Sequence, residues 1–161
     1  MKGENGVDIS LYYQEQGEGE PLFLLHGNGE DGTYFANQIS FFSDRYRVIA
    51  VDTRGHGKSP RGTGPFIMEL FAGKSVEAKS HMEILGLMVN EPNIRPEELC
   101  AIQAPTLVIA GTKDMIKTAH TELIADHIPN AKLSVIPGDH FIANKNPKDF
   151  NREVENFLLH R

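Results

Sequence analysis

The run Val48-Ile49-Ala50-Val51-Asp52-Thr53-Arg54-Gly55-His56-Gly57-Lys58-Ser59 constrains the fold more than any other stretch of the chain. It opens with an apolar, largely β-branched quartet, which favours a short buried strand over a helix. Asp52 closes the strand, and a turn with glycines at alternate positions follows. A parallel strand covered on both faces reads this way, its carboxyl end opening into a polar loop at the edge of a site. A second unit of the same kind precedes it: Pro21-Leu22-Phe23-Leu24-Leu25, then His26-Gly27-Asn28-Gly29.

The rest of the chain repeats that alternation. Residues 7–16 alternate as a strand with Ile9, Leu11 and Tyr13 on one face, and residues 17–20 turn it into the next strand. Residues 33–43 have helical spacing, with Phe35, Ile39 and Phe42 on one side. Residues 60–65 form a loop rich in Gly and Pro, and residues 66–89 read as helical, with Gly73 as a break. A short helix is expected at 95–101 and a third buried strand at 105–110, followed by Gly111-Thr112-Lys113-Asp114. An amphipathic helix at 118–128 leads to a fourth core strand at 133–136, and then to Gly138-Asp139-His140-Phe141. The last helix, 148–160, carries Phe150, Val154, Phe157 and Leu158 at helical spacing.

Two of these motifs, in this order, resemble the amino-terminal half of an α/β-hydrolase. There a strand-His-Gly segment forms part of the oxyanion hole, and Asp-x-Arg-Gly-x-Gly-x-Ser follows the next strand. The resemblance extends to Asp114 and His140, which stand where that family carries the acid and the histidine of its triad. In that chemistry the carboxylate fixes the imidazole tautomer and stabilises the imidazolium as it forms. It implies oxyanion donors at Asn28 and Gly27. Asp52, Arg54, Gly55 and Gly57 read as shaping residues rather than chemical ones. Taken alone, Asp114 is equally well a helix cap or turn former, and an isolated histidine is more often structural; the helix between Asp114 and His140 favours the paired reading.

The nucleophile that the resemblance calls for is absent from the sequence. A hydrolase of this class places it on a sharp strand-to-helix elbow, Gly-x-Ser-x-Gly or a close variant. Ser10, Ser40, Ser43, Ser80 and Ser134 have no glycine frame. Ser75 has Glu77 where the second glycine belongs, and Ser59 is followed by Pro60, which has no N–H to give an oxyanion. Cys100 follows a helical stretch rather than a strand. The resemblance therefore implies an internally shortened α/β-hydrolase fold: a mostly parallel sheet flanked by helices, without the elbow strand and most of the cap. The expected organisation is a single domain over 1–161, with 1–66 as the amino-terminal flank and 67–161 as a cap remnant and carboxyl-terminal flank. Loss of the central strands leaves either a gap of about 10–14 Å or direct pairing of the strands on either side of it.

Composition narrows the partners. The 161 residues carry Lys+Arg 16 against Asp+Glu 22, a net charge of −6. That balance, without basic runs, argues against nucleic acid and anionic membrane. The lone Cys100 rules out an intrachain disulfide and suits a reducing cytoplasm. No apolar run approaches the ~20 residues of a membrane helix.

Two other chemistries fit the sequence less well. Gly57-Lys58-Ser59 would end a phosphate-binding loop, but that motif needs a glycine where Asp52 stands. A flavodoxin-like module would need such a loop after its first parallel strand, where Glu30 and Asp31 make the segment acidic. A metal site from His26, Asp114 and His140 lacks a local ligand motif, so no metal or cofactor is expected. The functional expectation is a hydrolase of small carboxylic esters or related acyl compounds, weak or inactive for want of its nucleophile. The alternative is a non-catalytic remnant that folds, binds or forms a homodimer through exposed sheet edges.

Overall fold

The computed structural model describes residues 10–27, 29–60 and 94–160. The chain divides into two compact units, Met1–Asn93 and Ile94–Arg161.

The first unit is built on a three-stranded sheet. Strand β1 (Tyr13–Gln16) pairs antiparallel with β3 (Tyr46–Val51), and β2 (Glu20–Leu25) pairs parallel with β3 on its other side. Between β2 and β3 a 3-10 turn, Gly32–Phe35, runs into helix α1, Ala36–Phe42. The expected helix thus starts tight, because the Asp31 carboxylate accepts the Thr33 N–H at 2.8 Å and fixes the first turn. β3 is the central strand and is covered on both faces: Val48, Ile49 and Ala50 are buried, and Phe42 of α1 joins them. Gln38, which the apolar spacing did not single out, is buried on the same helix.

β2 departs from the expectation of a strand buried on both faces. Its register aligns Leu25 with Val51 and Tyr13, and Phe23 with Ile49 and Glu15, so these rows share one face of the sheet. On that face Tyr13, Phe23 and Leu25 are 54%, 60% and 64% exposed. The apolar run of β2 cannot cover itself: burial comes from neighbours, and among the described residues β2 has a strand on one side only. β1 is also shorter than the stretch expected at 7–16, of which 7–9 lie outside the described residues. Apart from Pro60, so do the expected loop at 60–65 and helix at 66–89.

The second unit holds a parallel pair, β4 (Thr106–Gly111) and β5 (Ala131–Ile136), in the register Thr106 to Ala131 through Gly111 to Ile136. A 3-10 helix, Pro96–Ala101, precedes β4, where Pro96 at its start and the Glu98 carboxylate on the Arg95 N–H close the first turn. Helix α2 (Thr118–His127) connects the strands. A short helix α3 (Ile142–Lys145) and the longer α4 (Pro147–Leu159) follow β5. The core of this unit is Ala110, Ile128, Ile136, Ile142 and Ala143. β5 is less of a core strand than its sequence suggests, since Leu133 and Val135 are 36% and 45% exposed. Among the described residues it has a neighbouring strand, β4, on one side only.

The two parallel pairs and their connecting helices make the fold α/β and mostly parallel, as the sequence predicts. No helix among the described residues is long and apolar enough to cross a membrane. The burial pattern separates two adjacent aromatics. Phe42→Ala should cost about 3–5 kcal/mol and Phe41→Ala, 38% exposed, under about 1 kcal/mol. Urea unfolding followed by circular dichroism measures both.

Candidate active site

β4 and β5 end side by side, and the turns that leave them are joined by main-chain bonds. Thr112 N–H donates to the Ile136 carbonyl at 2.9 Å, and Lys113 N–H donates to the Gly138 carbonyl at 2.8 Å. Gly111 makes this approach possible: a Cβ there would clash with the carbonyls of Gly138 and Asp139. Asp114 and His140 are carried on these two turns. His140 Nδ1 donates to Asp114 Oδ1 at 2.9 Å. Asp114 Oδ1 also accepts the Ile116 N–H at 2.9 Å, so the carboxylate is anchored in its own turn.

The Asp114 side chain is 11% exposed and that of His140 46% exposed. Burial pushes the Asp114 carboxyl upward, but the Ile116 N–H and the His140 imidazole outweigh it and hold it below its ordinary 3.8. With Nδ1–H given to the carboxylate, the neutral form of the imidazole carries its lone pair on Nε2, the nitrogen a general base would use. The sequence-predicted acid and histidine are therefore in contact.

Of the two predicted oxyanion residues, Gly27 lies in the first unit, two residues past the end of β2. Asn28 is outside the described residues. The Gly27 N–H donates to Glu30 Oε2 at 3.2 Å, inside its own loop. His26 is buried, and its Nδ1–H meets the Gly27 carbonyl at 2.7 Å while Nε2 accepts the Thr53 N–H at 3.0 Å. It therefore ties the end of β2 to the end of β3. Asp52, read as structural, is 3% exposed and accepts the Gly32 N–H and the Lys58 N–H, each at 2.8 Å. Gly57 adopts φ 53°, and a side chain there would strike the Asp52 carboxylate. An open cavity of about 570 Å³ lies beside these loops, lined by Glu30, Asp31, Tyr34, Gly55 and His56 among others. Among the described residues, no group of three or more His, Cys, Asp or Glu side chains is placed to hold a metal ion.

Several hydroxyls passed over as nucleophiles have structural partners. Ser59 is 6% exposed; its Oγ donates to the Asp52 carbonyl at 2.6 Å and accepts the Tyr12 N–H at 2.8 Å. Ser134 Oγ donates to Glu153 at 3.0 Å, and Ser43 Oγ to the Ser40 carbonyl at 3.3 Å. Cys100 is exposed and lies within the 3-10 helix. Ser75 and Ser80 lie outside the described residues. The sequence reading missed Thr53 as the partner of His26, which the period of a strand and turn does not encode.

A family model of the alpha/beta hydrolase fold matches residues 20–88. The chain is 31% identical over 112 residues to (E)-2-((N-methylformamido)methylene)succinate hydrolase of Acinetobacter baylyi, covering 67% of this chain and 39% of that protein. It is 32% identical over 79 residues to 3-oxoadipate enol-lactonase 2 of the same organism, covering 48% of this chain and 30% of that protein. Among solved structures, a serine hydrolase involved in carbazole degradation superposes with a TM-score of 0.79 at 18% identity, covering 95% of this chain and 96% of that one. The enol-lactonase of Burkholderia xenovorans superposes with a TM-score of 0.77 at 18% identity, covering 94% and 97%. Sheet, helices and sequence agree on one class, an α/β protein of hydrolase architecture. The chain shares the α/β-hydrolase fold, and the match to that family's model runs over residues 20–88. Its sequence matches span about two fifths of the hydrolase and less than a third of the lactonase.

Two outcomes check this geometry. Asp114 has a lowered folded pKa, so its stabilisation is complete above the unfolded value near 3.8 and is lost as pH falls through the folded one. The stability difference between the wild type and Asp114→Asn should therefore shrink below about pH 4 in urea titrations run from pH 7 to 3. Gly111→Ala should cost about 1–3 kcal/mol by overpacking and weaken the Asp114–His140 bond, read from the His140 imidazole signals by NMR.

Proposed function

We propose that the chain derives from a hydrolase of small carboxylic esters or related acyl compounds. The observation that carries this reading is the 2.9 Å bond between Asp114 and His140, which leaves Nε2 as the base. Asp114 holds the tautomer and offsets the charge that His140 gains as it takes a proton. By resemblance the Asn28 N–H would receive the developing oxyanion, and the Gly27 N–H would join it on leaving Glu30 Oε2. Relatives named as hydrolase, enol-lactonase and methyl ester esterase support carbonyl hydrolysis at this coarser level.

In this reading the chain is internally shortened, lacking the elbow strand and most of the cap, and it hydrolyses weakly or not at all by itself. No serine of the sequence has the elbow frame, and Ser59 is committed to Asp52 and Tyr12. Without an elbow nucleophile, His140 acts on water as a weak general base. The acidic balance and the single cysteine favour a cytoplasmic protein that avoids nucleic acid and membranes.

A second reading, favoured by the open apolar face bearing Phe23 and Leu25, is a non-catalytic module that pairs with a second copy at the β2 edge.

Fluorophosphonate treatment of the purified chain, read by intact mass beside hydrolysis of a short-chain aryl ester, tests the assignment. The expected result is no stoichiometric adduct, with residual turnover that His140→Ala abolishes. One adduct per chain would overturn the missing nucleophile, and peptide mapping would identify the residue. The absence of both adduct and turnover would leave the non-catalytic module.

A further inference from the structure

Asp139 precedes His140 in the turn after β5 and adds a second carboxylate to that turn. Both of its oxygens are engaged elsewhere. Oδ1 accepts the Phe141 N–H at 2.9 Å, and Oδ2 forms an ion pair with the Lys145 ammonium at the end of α3. Lys145 returns to the same turn twice more: its N–H donates to the Phe141 carbonyl at 2.9 Å, and its ammonium stands 5.2 Å from the centre of the Phe141 ring. The Phe141 ring meets His140 edge-on at 5.8 Å. Asp139, Phe141 and Lys145 are therefore tied to one another across the turn, and the Phe141 ring carries their contact to His140.

The other charged groups nearby in sequence or on the following helix are Lys113 and Lys117, around Asp114, and Lys148, Asp149 and Arg152 on α4. Asp149 pairs with Arg152 at 2.9 Å. The Lys145 ammonium, with the Phe141 N–H, keeps the Asp139 carboxyl below its ordinary 3.8.

We propose that Asp139 and Lys145 are positioning residues for the Asp114–His140 pair: their ion pair pins the His140 turn and neutralises the Asp139 charge, leaving Asp114 as the carboxylate that governs the imidazole. The inference rests on the reading of Asp114 and His140 as the acid and base of a hydrolase. An uncompensated carboxylate beside His140 favours the imidazolium whatever its alignment, and an imidazole that keeps its proton is a poorer base. Lys145 removes that competition while letting Asp139 hold the turn. Its side chain is 61% exposed and that of Asp139 40% exposed, so the effect is modest and sensitive to salt.

The test is a proton NMR titration of His140 in the whole chain at low ionic strength. Lys145→Met strands the Asp139 charge and should raise the His140 midpoint by about 0.3–0.5 pH unit. Asp139→Asn strands the lysine and should lower it by a similar amount. The double variant should return close to the wild type, and the differences should fade in 0.5 M salt. Opposite signs that cancel are the mark of charge neutralisation; a purely structural clamp would shift both single variants the same way. Single variants that move the midpoint in one direction, or not at all, overturn the proposal. Lys145→Gln and Asp139→Ser repeat the cycle if either first choice fails to fold, which amide spectra of β4 and β5 report. Asp114→Asn is read separately: if it leaves the midpoint unmoved, the acid–base reading fails while the Asp139–Lys145 cycle still stands or falls by its own signs.

Discussion

The register of β4 on β5 is the constraint on which the candidate site depends. With Gly111 opposite Ile136, both strands end at the same level and their turns exchange main-chain hydrogen bonds. A slip of one residue would turn every side chain of one strand to the opposite face. It would also part Asp114 from His140, which lie 26 positions apart and meet at 2.9 Å only because the turns are held together. The site is thus a property of backbone pairing first and of side-chain chemistry second. The carboxylate and the imidazole add directional bonds to a geometry that the strands have already set.

The first unit solves a similar problem with buried polar groups. Two parallel strands end at loops rich in glycine, and such loops have many N–H groups to satisfy. Asp52 takes one from Gly32 and one from Lys58, while His26 takes one from Thr53. Ser59 completes the arrangement by joining the Asp52 carbonyl to the Tyr12 N–H. These bonds fix the carboxyl ends of β2 and β3.

What could be read from the sequence follows from the range of the interactions involved. β3 and β4 were legible because apolar β-branched runs followed by glycine turns are local signals. Asp114 and His140 were legible because each directly follows such a strand. Burial was less legible: Phe23, Leu25, Leu133 and Val135 have the sequence of core residues, yet what covers a strand face lies elsewhere in the chain. The tie between His26 and Thr53 spans 27 positions with no periodic mark, and Lys145 reaches Asp139 from a helix of four residues too short to announce itself. The 3-10 start of the first helix hung on one side chain, Asp31, whose capping role the apolar spacing does not display.

Asp52 illustrates a further point. The donors to its two carboxylate oxygens are main-chain N–H groups, and Gly32 and Lys58 supply them whatever their side chains are. At position 58 only proline would remove the donor, whereas at position 32 space is also limiting, since a Cβ would stand 3.0 Å from Asp52 Oδ1. The bond to position 58 therefore places its demand on one partner alone. Methods that seek contacts through paired changes of residue would pass over it, and a change of the Lys58 side chain would cost its contact with Tyr12 while leaving the N–H that holds the carboxylate at position 52.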